Sequence, residues 1–168
     1  SGAVSPTCAA HVAESLGAKV DMILDGGACE AGIESTIVAV RPDGRWQVLR
    51  PGPIDAGQIA LVIGSPASEN AGDGAIEAPG QLASHYAPGK PVRLNARAAG
   101  ADEFHIGFGT IAGDVTLSAR ADLAEAAARL YAALHSAAAA PAPRIAIAPV
   151  PEEGIGIAIN DRLRRAAA

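Results

Sequence analysis

The sequence predicts an α/β protein built as two unequal regions, and three observations carry that reading. After residue 90, the short β-rich runs Val92-Arg-Leu94, Phe104-His-Ile-Gly-Phe108 and Ile145-Ala-Ile-Ala148 alternate with an alanine-rich helical stretch, the pattern of βαβ layering. Hydrophobic residues make up 49% of the chain but aromatic ones only 3%. A core must then be assembled from Val, Ile, Leu and Ala, which closely packed helices on a sheet permit. Between the two regions lies Glu77-Ala-Pro-Gly-Gln-Leu-Ala-Ser-His-Tyr-Ala-Pro88, stiffened by Pro79 and Pro88 where an ordinary linker would be Gly, Ser and charges. A stiff linker carrying His85 and Tyr86 reads either as a lid over a site or as a plug between two domains.

Each element has a local reason. Ser5 before Pro6 reads as an N-cap followed by proline at the first helical position, with helix one running to about Leu16 and Gly17 just past its end. Val20-Asp-Met-Ile-Leu24 is a short apolar run entering the turn Asp25-Gly26-Gly27, hence a strand. Gly32-Ile-Glu-Ser-Thr-Ile-Val-Ala-Val40 and Trp46-Gln-Val-Leu-Arg50 flank Asp43-Gly44 and read as a hairpin. Strand alternation would set Ser35, Ile37 and Ala39 on one face and Glu34, Thr36 and Val38 on the other. Arg50 precedes Pro51-Gly52-Pro53, a place to end a ladder and present a side chain at a sheet edge. Asp55 can cap a helix through Val62. Residues 65–76, rich in Ser, Pro, Ala, Glu, Asn and Gly, predict a mobile loop.

In the second region Asp122, with Glu125 three residues on, predicts a capping box. Leu123, Ala127, Leu130 and Leu134 supply the buried stripe of that helix. A last helix has Glu152 and Glu153 near its start and Arg162, Arg164 and Arg165 near its end, matching the helix dipole; the arginines read as a solvated helix end. The layering is βαβ-type and Rossmann-like, yet Gly154-Ile-Gly156 is not a GxGxxG element and does not predict a dinucleotide site.

Composition excludes several classes. A net charge of −5 without a basic stripe argues against a direct nucleic-acid surface. Cys8 and Cys29 form no CxxC, and the four histidines have no metal-ligand spacing, so neither a disulfide framework nor a metal site is expected. No apolar run approaches the ~20 residues that span a bilayer, and the first residues do not read as a signal peptide. A cytoplasmic, soluble protein is the expectation.

Ser1-Gly-Ala-Val-Ser-Pro-Thr7, Gly32-Ile-Glu-Ser-Thr36, Leu49-Arg-Pro-Gly52, the Ala78-Pro-Gly80 to His85-Tyr-Ala-Pro88 linker and Gly156-Ile-Ala-Ile-Asn-Asp-Arg-Leu163 occur in that order. Together they resemble the two-domain members of the YrdC/Sua family, the threonylcarbamoyl-adenylate synthases. The resemblance implies a partial YrdC-like twisted sheet with helices over residues 1–64, a linker or lid over 65–90, and a Sua-type accessory α/β domain over 91–168. It implies that the sequence starts inside the YrdC-like domain, without the family's basic Lys-x-Arg element, and is inactive alone.

The implied activity condenses L-threonine, bicarbonate and ATP to threonylcarbamoyl-AMP and pyrophosphate, with Mg2+ carried by the nucleotide. The product passes to the tRNA threonylcarbamoyl transferase machinery. Such chemistry asks for positioning and charge compensation rather than a nucleophilic side chain, so no catalytic residue is assigned. By resemblance Ser5, Arg50 and Tyr86 contact ATP and Ser35 contacts threonine, while Glu34, Thr36 and His85 are structural neighbours. From the residues alone Ser5 serves equally as a simple cap, Ser35 as a strand serine, and Arg50 as a solvated strand end. Two other readings remain: a non-catalytic small-molecule-binding or interaction module, and an RNA-binding protein, which the acidic charge weakens.

Overall fold

Two sheets organise the chain, and the residues between them are held by side chains from both. The computed structural model describes residues 2–68 and 76–168. In the first region β1 (Ile37–Val40) and β2 (Trp46–Arg50) form an antiparallel hairpin. Its turn is where Asp43-Gly44 predicts it, with Gly44 at φ 83 and the Arg41 N–H donating to the Arg45 carbonyl at 2.7 Å. The helix α2 (Ala56–Ile63) follows. Asp55 and Gln58 close a reciprocal capping box at its start, and left-handed Gly64 ends it.

The second region is a four-stranded parallel sheet in the order β3-β6-β4-β5. Its strands are β3 (Val92–Arg93), β4 (Glu103–Gly107), β5 (Val115–Thr116) and β6 (Arg144–Ile147). The helices α3 (Leu123–Ala139) and α4 (Gly156–Ala166) complete it. The mixed α/β class is as the sequence predicts. The core joins Ile106, Leu117, Leu130, Leu134, Ile145, Ile147, Ile159 and Leu163, all at 2% exposure or less. β5 went unpredicted, whereas β3, equally short, was found through the alternation Val92-Arg-Leu94.

Several elements differ from expectation. Helix α1 (Ala9–Leu16) starts four residues after Ser5, with Cys8 as a cap that makes no side-chain bond. Ser5 does not cap it because its hydroxyl donates instead to Glu34 Oε1 at 2.6 Å. Val20–Leu24 is not a strand: it has no pairing partner among the described residues, and Met22 and Leu24 stand 76% and 86% exposed. The turn after it does form, with the Gly27 N–H on Asp25 Oδ1.

Residues 32–36 also lie outside the ladder, so the alternation expected from Glu34 to Ala39 begins only at Ile37 and is broken by a bulge between Ile37 and Val38. Packing explains this: Gly32 has φ +68, and a Cβ there would come within 2.3 Å of Ala128 Cα on α3. The chain runs against the second region at that point and cannot pair as a strand. The α3 capping box is relayed rather than direct. Asp122 accepts from the Glu125 N–H, but the Asp122 N–H donates to Ser118 Oγ, which in turn donates to the Glu125 carboxylate at 2.6 Å. The composition-based mobile loop falls largely on residues 69–75, outside the described residues; Ser68 N–H beside it donates to the Trp46 carbonyl.

The last helix begins after Glu152 and Glu153, at Gly156, and its arginines are not a solvated end. Arg162 is fully buried, and Arg165 donates to Asp161 and to the Leu82 carbonyl. Arg164 alone is exposed, paired with Glu152.

Candidate functional site

The site is built where the N-terminal segment, the hairpin and the linker meet. Gly2, Ala3 and the linker pair in parallel: Ala3 bridges Ala87, and the Ala87 N–H donates to the Gly2 carbonyl at 2.9 Å. This sets Ser5 near the chain that carries Tyr86. The linker is fixed from its other side by α4, through the His85 N–H on the Arg165 carbonyl and Ser84 Oγ on the Ala168 carbonyl.

Arg50 ends β2 and turns inward at 8% exposure. Its Nε and Nη2 donate to the Ser35 carbonyl at 3.2 and 2.9 Å, and Nη1 donates to the Pro79 carbonyl at 3.3 Å. Ser35 Oγ lies 3.5 Å from Nη2, and Ser35 is itself exposed. Among the described residues Arg50 has no carboxylate within ion-pairing reach, although buried charges are ordinarily paired. Gly80 is what lets the linker approach: it has φ +86, and a Cβ there would sit 2.6 Å from Tyr86 Oη and 3.1 Å from Arg50 Cδ. The Tyr86 hydroxyl and the Arg50 stem therefore meet across Gly80. A cavity of about 380 Å³ opens beside them, lined by Ile76, Glu77, Pro79, Gly80, Leu82 and His85.

Glu34 is the residue that sequence reasoning undervalued. It accepts from Ser5 Oγ at 2.6 Å, from Tyr131 Oη at 2.9 Å and from Arg162 Nε at 3.1 Å. Burial works to raise its pKa, but the hydrogen bonds from Ser5, its own backbone and Tyr131, with the Arg162 charge, outweigh that and hold it below the ordinary glutamate value. Burial, then the Glu34 charge, push the Tyr131 phenol well above its usual range. Burial opposes the charge of Arg162, yet Tyr131, Tyr86 and Glu34 keep its pKa raised.

Tyr86, at 1% exposure and φ 61, packs its ring 5.5 Å from that of Tyr131 and edge-on to His85 at 4.1 Å, with Arg162 Cζ 5.6 Å from its centroid. His85 Nδ1 and Arg162 Nη2 are buried and bond to none of the described residues. Burial lowers the His85 pKa, against the pull of Glu34.

Ser5, Ser35, Arg50 and Tyr86 thus gather in one neighbourhood: Ser5 through Glu34, Ser35 through Arg50, and Tyr86 across Gly80. Two expectations about them change. The helix start behind Ser5 is not there, and its hydroxyl proton is committed to Glu34. Arg50 is an enclosed guanidinium, not a solvated strand end. Tyr131 and Arg162 carried no local signal, since their roles arise 97 and 128 residues from Glu34 in sequence.

Residues 54–168 match the family described as "Threonylcarbamoyl-AMP synthase, C-terminal domain", and residues 1–52 match one described as "Telomere recombination". Threonylcarbamoyl-AMP synthase from Pyrococcus abyssi is 31% identical over 189 aligned positions, covering 99% of this chain and 55% of the relative. That of Bacillus subtilis is 34% identical with 99% and 54% coverage. The crystal structure of P. abyssi Sua5 complexed with L-threonine superposes with a TM-score of 0.77 at 28% identity, over 99% of this chain and 55% of that one. A second P. abyssi Sua5 structure, of a variant with a histidine and the next tyrosine both changed to alanine, gives 0.77 at 27% identity, with 99% and 54% coverage. The chain spans about half the length of the relatives it matches. With a family match across residues 54–168 and both regions represented in the same relatives, the chain belongs to the threonylcarbamoyl-AMP synthase family.

Proposed function

We propose that this chain supplies part of the nucleotide and threonine cradle of a threonylcarbamoyl-AMP synthase, which joins L-threonine, bicarbonate and ATP with release of pyrophosphate. The observation that carries the reading is Arg50, a buried guanidinium satisfied only by carbonyls and a hydroxyl. Its positive charge has no internal counterion among the described residues, and a phosphate fits that need in bidentate fashion. Ser35, exposed beside it, is the threonine contact. Tyr86 acts at the nucleotide through its hydroxyl, which shares the Gly80 notch with Arg50. A linked His–Tyr pair is the target of the substitutions in one matched P. abyssi structure, and this chain holds a single such pair, His85–Tyr86. Ser5 would donate to phosphate only by leaving Glu34.

The donor set is hydroxyl and guanidinium, suited to phosphate oxygens. In this reading Mg2+ arrives on the nucleotide. The division into a YrdC-like part to residue 64, a linker over 65–90 and an accessory domain over 91–168 belongs to the same proposal. So does delivery of the product to a tRNA threonylcarbamoyl transferase in the cytoplasm. Among the described residues no helix is long and apolar enough to cross a membrane.

The test uses a protein in which the part of the relatives that this chain does not span is also supplied. Arg50→Met should weaken ATP binding at least about tenfold, the effect of losing a charge-assisted pair, while threonine binding measured without ATP holds. Ser35→Ala should do the reverse. Unchanged ATP affinity in Arg50→Met would overturn the reading.

A further inference from the structure

Arg162 sits at the far end of the chain from Ser5, yet it touches the support of each residue assigned to the nucleotide. Its Nε donates to Glu34 Oε2 at 3.1 Å, and Glu34 Oε1 holds the Ser5 hydroxyl. Its Nη1 donates to the Pro51 carbonyl at 2.7 Å, one peptide beyond Arg50. Its guanidinium lies 5.6 Å from the centre of the Tyr86 ring, within cation–π range. The side chain is fully enclosed and comes from α4, whose Asp161 anchors Nη1 at 3.0 Å. From these contacts we infer that Arg162 is the positioning residue through which the second region sets Ser5, Arg50 and Tyr86 for the nucleotide. The inference rests on the nucleotide reading of those three residues.

The chemistry explains why an arginine stands there. Glu34 is an anion beside residues assigned to a polyanion, and its field would repel the phosphates unless compensated. Arg162 supplies the compensating charge, and its rigid planar fork reaches the carboxylate and the Pro51 carbonyl with two separate nitrogens, where an ammonium offers a single one on a flexible stem. Tyr131, donating to the same carboxylate from α3, shares the support but brings no charge. Threonine, a zwitterion assigned to Ser35 on the exposed side, is much less sensitive to an uncompensated Glu34. Loss of Arg162 should therefore separate the two ligands, where general loosening of the fold would not.

The experiment compares Arg162→Met, Arg162→Lys, the double variant Glu34→Gln with Arg162→Met, and Ile159→Ala as a control buried on the same helix outside the network. In the chain itself, NMR follows the Arg50 Nε–H and the amides of Ser5 and Tyr86. In the protein completed as above, ATP and threonine dissociation constants are measured beside the unfolding midpoint. Arg162→Met should move all three resonances and weaken ATP about tenfold or more, as removing one partner of a buried pair does, with threonine within about twofold. Arg162→Lys should fall between, and the double variant should regain ATP affinity because the uncompensated carboxylate is gone.

Ile159→Ala should lower the midpoint without splitting the ligands. The inference is overturned if Arg162→Met leaves the three resonances in place, or weakens ATP and threonine alike. It is overturned too if the double variant binds ATP worse than Arg162→Met. A wild-type protein that binds no ATP would sink the nucleotide reading instead, and the resonances would still decide whether Arg162 sets the three residues. Should Arg162→Met not fold, Arg162→Lys and the double variant decide by the same measures.

Discussion

Residues 2–63 and 91–168 use apolar side chains in opposite ways. The second region encloses Leu130, Leu134, Ile145, Ile147 and Ile159 completely, and the large apolar residue it leaves open is Ile157. The first region contributes Ile33 and Trp46 to the buried set, while Met22, Leu24, Val40, Ile54, Leu61 and Val62 face outward. Apolarity does not account for this, because α2 (Ala-Gly-Gln-Ile-Ala-Leu-Val-Ile) is at least as apolar as α3 and has no buried residue. The difference is a partner: α3 has a parallel sheet to lie on, and α2 makes no substantial contact with another helix or strand among the described residues. Burial is a property of two surfaces, and a hydrophobic run supplies only one of them. What fastens the first region is a polar clamp, the Ser5–Glu34–Tyr131–Arg162 network, together with Ile33 inserted into the core of the second.

Truncating one enclosed leucine of the second region tests this most sharply. Leu130→Ala should cost about 2–5 kcal/mol, because a fully enclosed leucine leaves a cavity that a sheet-backed helix cannot close. Chemical denaturation of the chain measures it. A cost below about 1 kcal/mol would mean that the second region is no better packed than the first.

The same contrast explains what could be read in advance. The hairpin, the Asp55 cap, the α3 stripe and the strands β3, β4 and β6 of the parallel sheet were legible because each depends on a turn residue, a cap or a period inside one short window. Val20–Leu24 misled because a strand needs a neighbour, and its sequence carries no sign of whether one is present. Ser5 misled because its hydroxyl had a better acceptor in Glu34, 29 residues away. At the site, Ser5, Ser35, Arg50 and Tyr86 were named from motifs, and each lies where the hairpin and linker meet. Arg162 looked like a solvated helix end because charge near a C-terminus fits the dipole equally well. Its burial follows from a fold-level contact with Glu34 that no local pattern encodes.

A smaller effect probes whether the first region has stability of its own. Asp55 Oδ1 accepts from the Gln58 N–H at 2.8 Å, and the Asp55 N–H donates in return to Gln58 Oε1 at 3.0 Å. Asp55→Ala should cost about 0.5–2 kcal/mol of helix α2. If the regions melt separately, amide exchange should accelerate in α2 and leave α3 untouched. Equal acceleration in both would show one cooperative unit.

Ion pairs sharpen the comparison by pH. Arg93 grips Glu103 through two bonds, at 2.9 and 2.6 Å, and the Glu103 side chain is only 4% exposed. The Arg93 hydrogen bond and then the Gly100 N–H hold its pKa at about 2, from 4.5. Because the folded value is depressed, the contribution is complete above pH 4.5 and lost as pH falls toward 2. The gap in unfolding midpoint between wild type and Glu103→Gln should shrink to nothing across that window. Asp43 and Arg45 in the hairpin, both more than half exposed, form the matching pair of the first region. Asp43→Asn should leave the midpoint unchanged at neutral pH. A gap for Glu103→Gln that persists at pH 2 would mean that the pair is not its source.

The smallest expected effect on stability is the most direct test of the open surface. Leu61 and Val62 are each 87% exposed on α2, and Ile54, which precedes the helix, is 57% exposed. Replacing Leu61 and Val62 by serine removes little packing, so the unfolding free energy should change by less than about 0.5 kcal/mol per site. Association is another matter. Adjacent exposed apolar groups mark surfaces that stick to other apolar surfaces, so the double variant should bind less of a hydrophobic dye and self-associate less in sedimentation. Helix propensity favours leucine over serine only slightly, so any larger loss has to come from packing. A loss above about 2 kcal/mol for the pair would place these side chains in contact in solution, and the contrast between an open and a closed region would fail at the helix that states it most plainly.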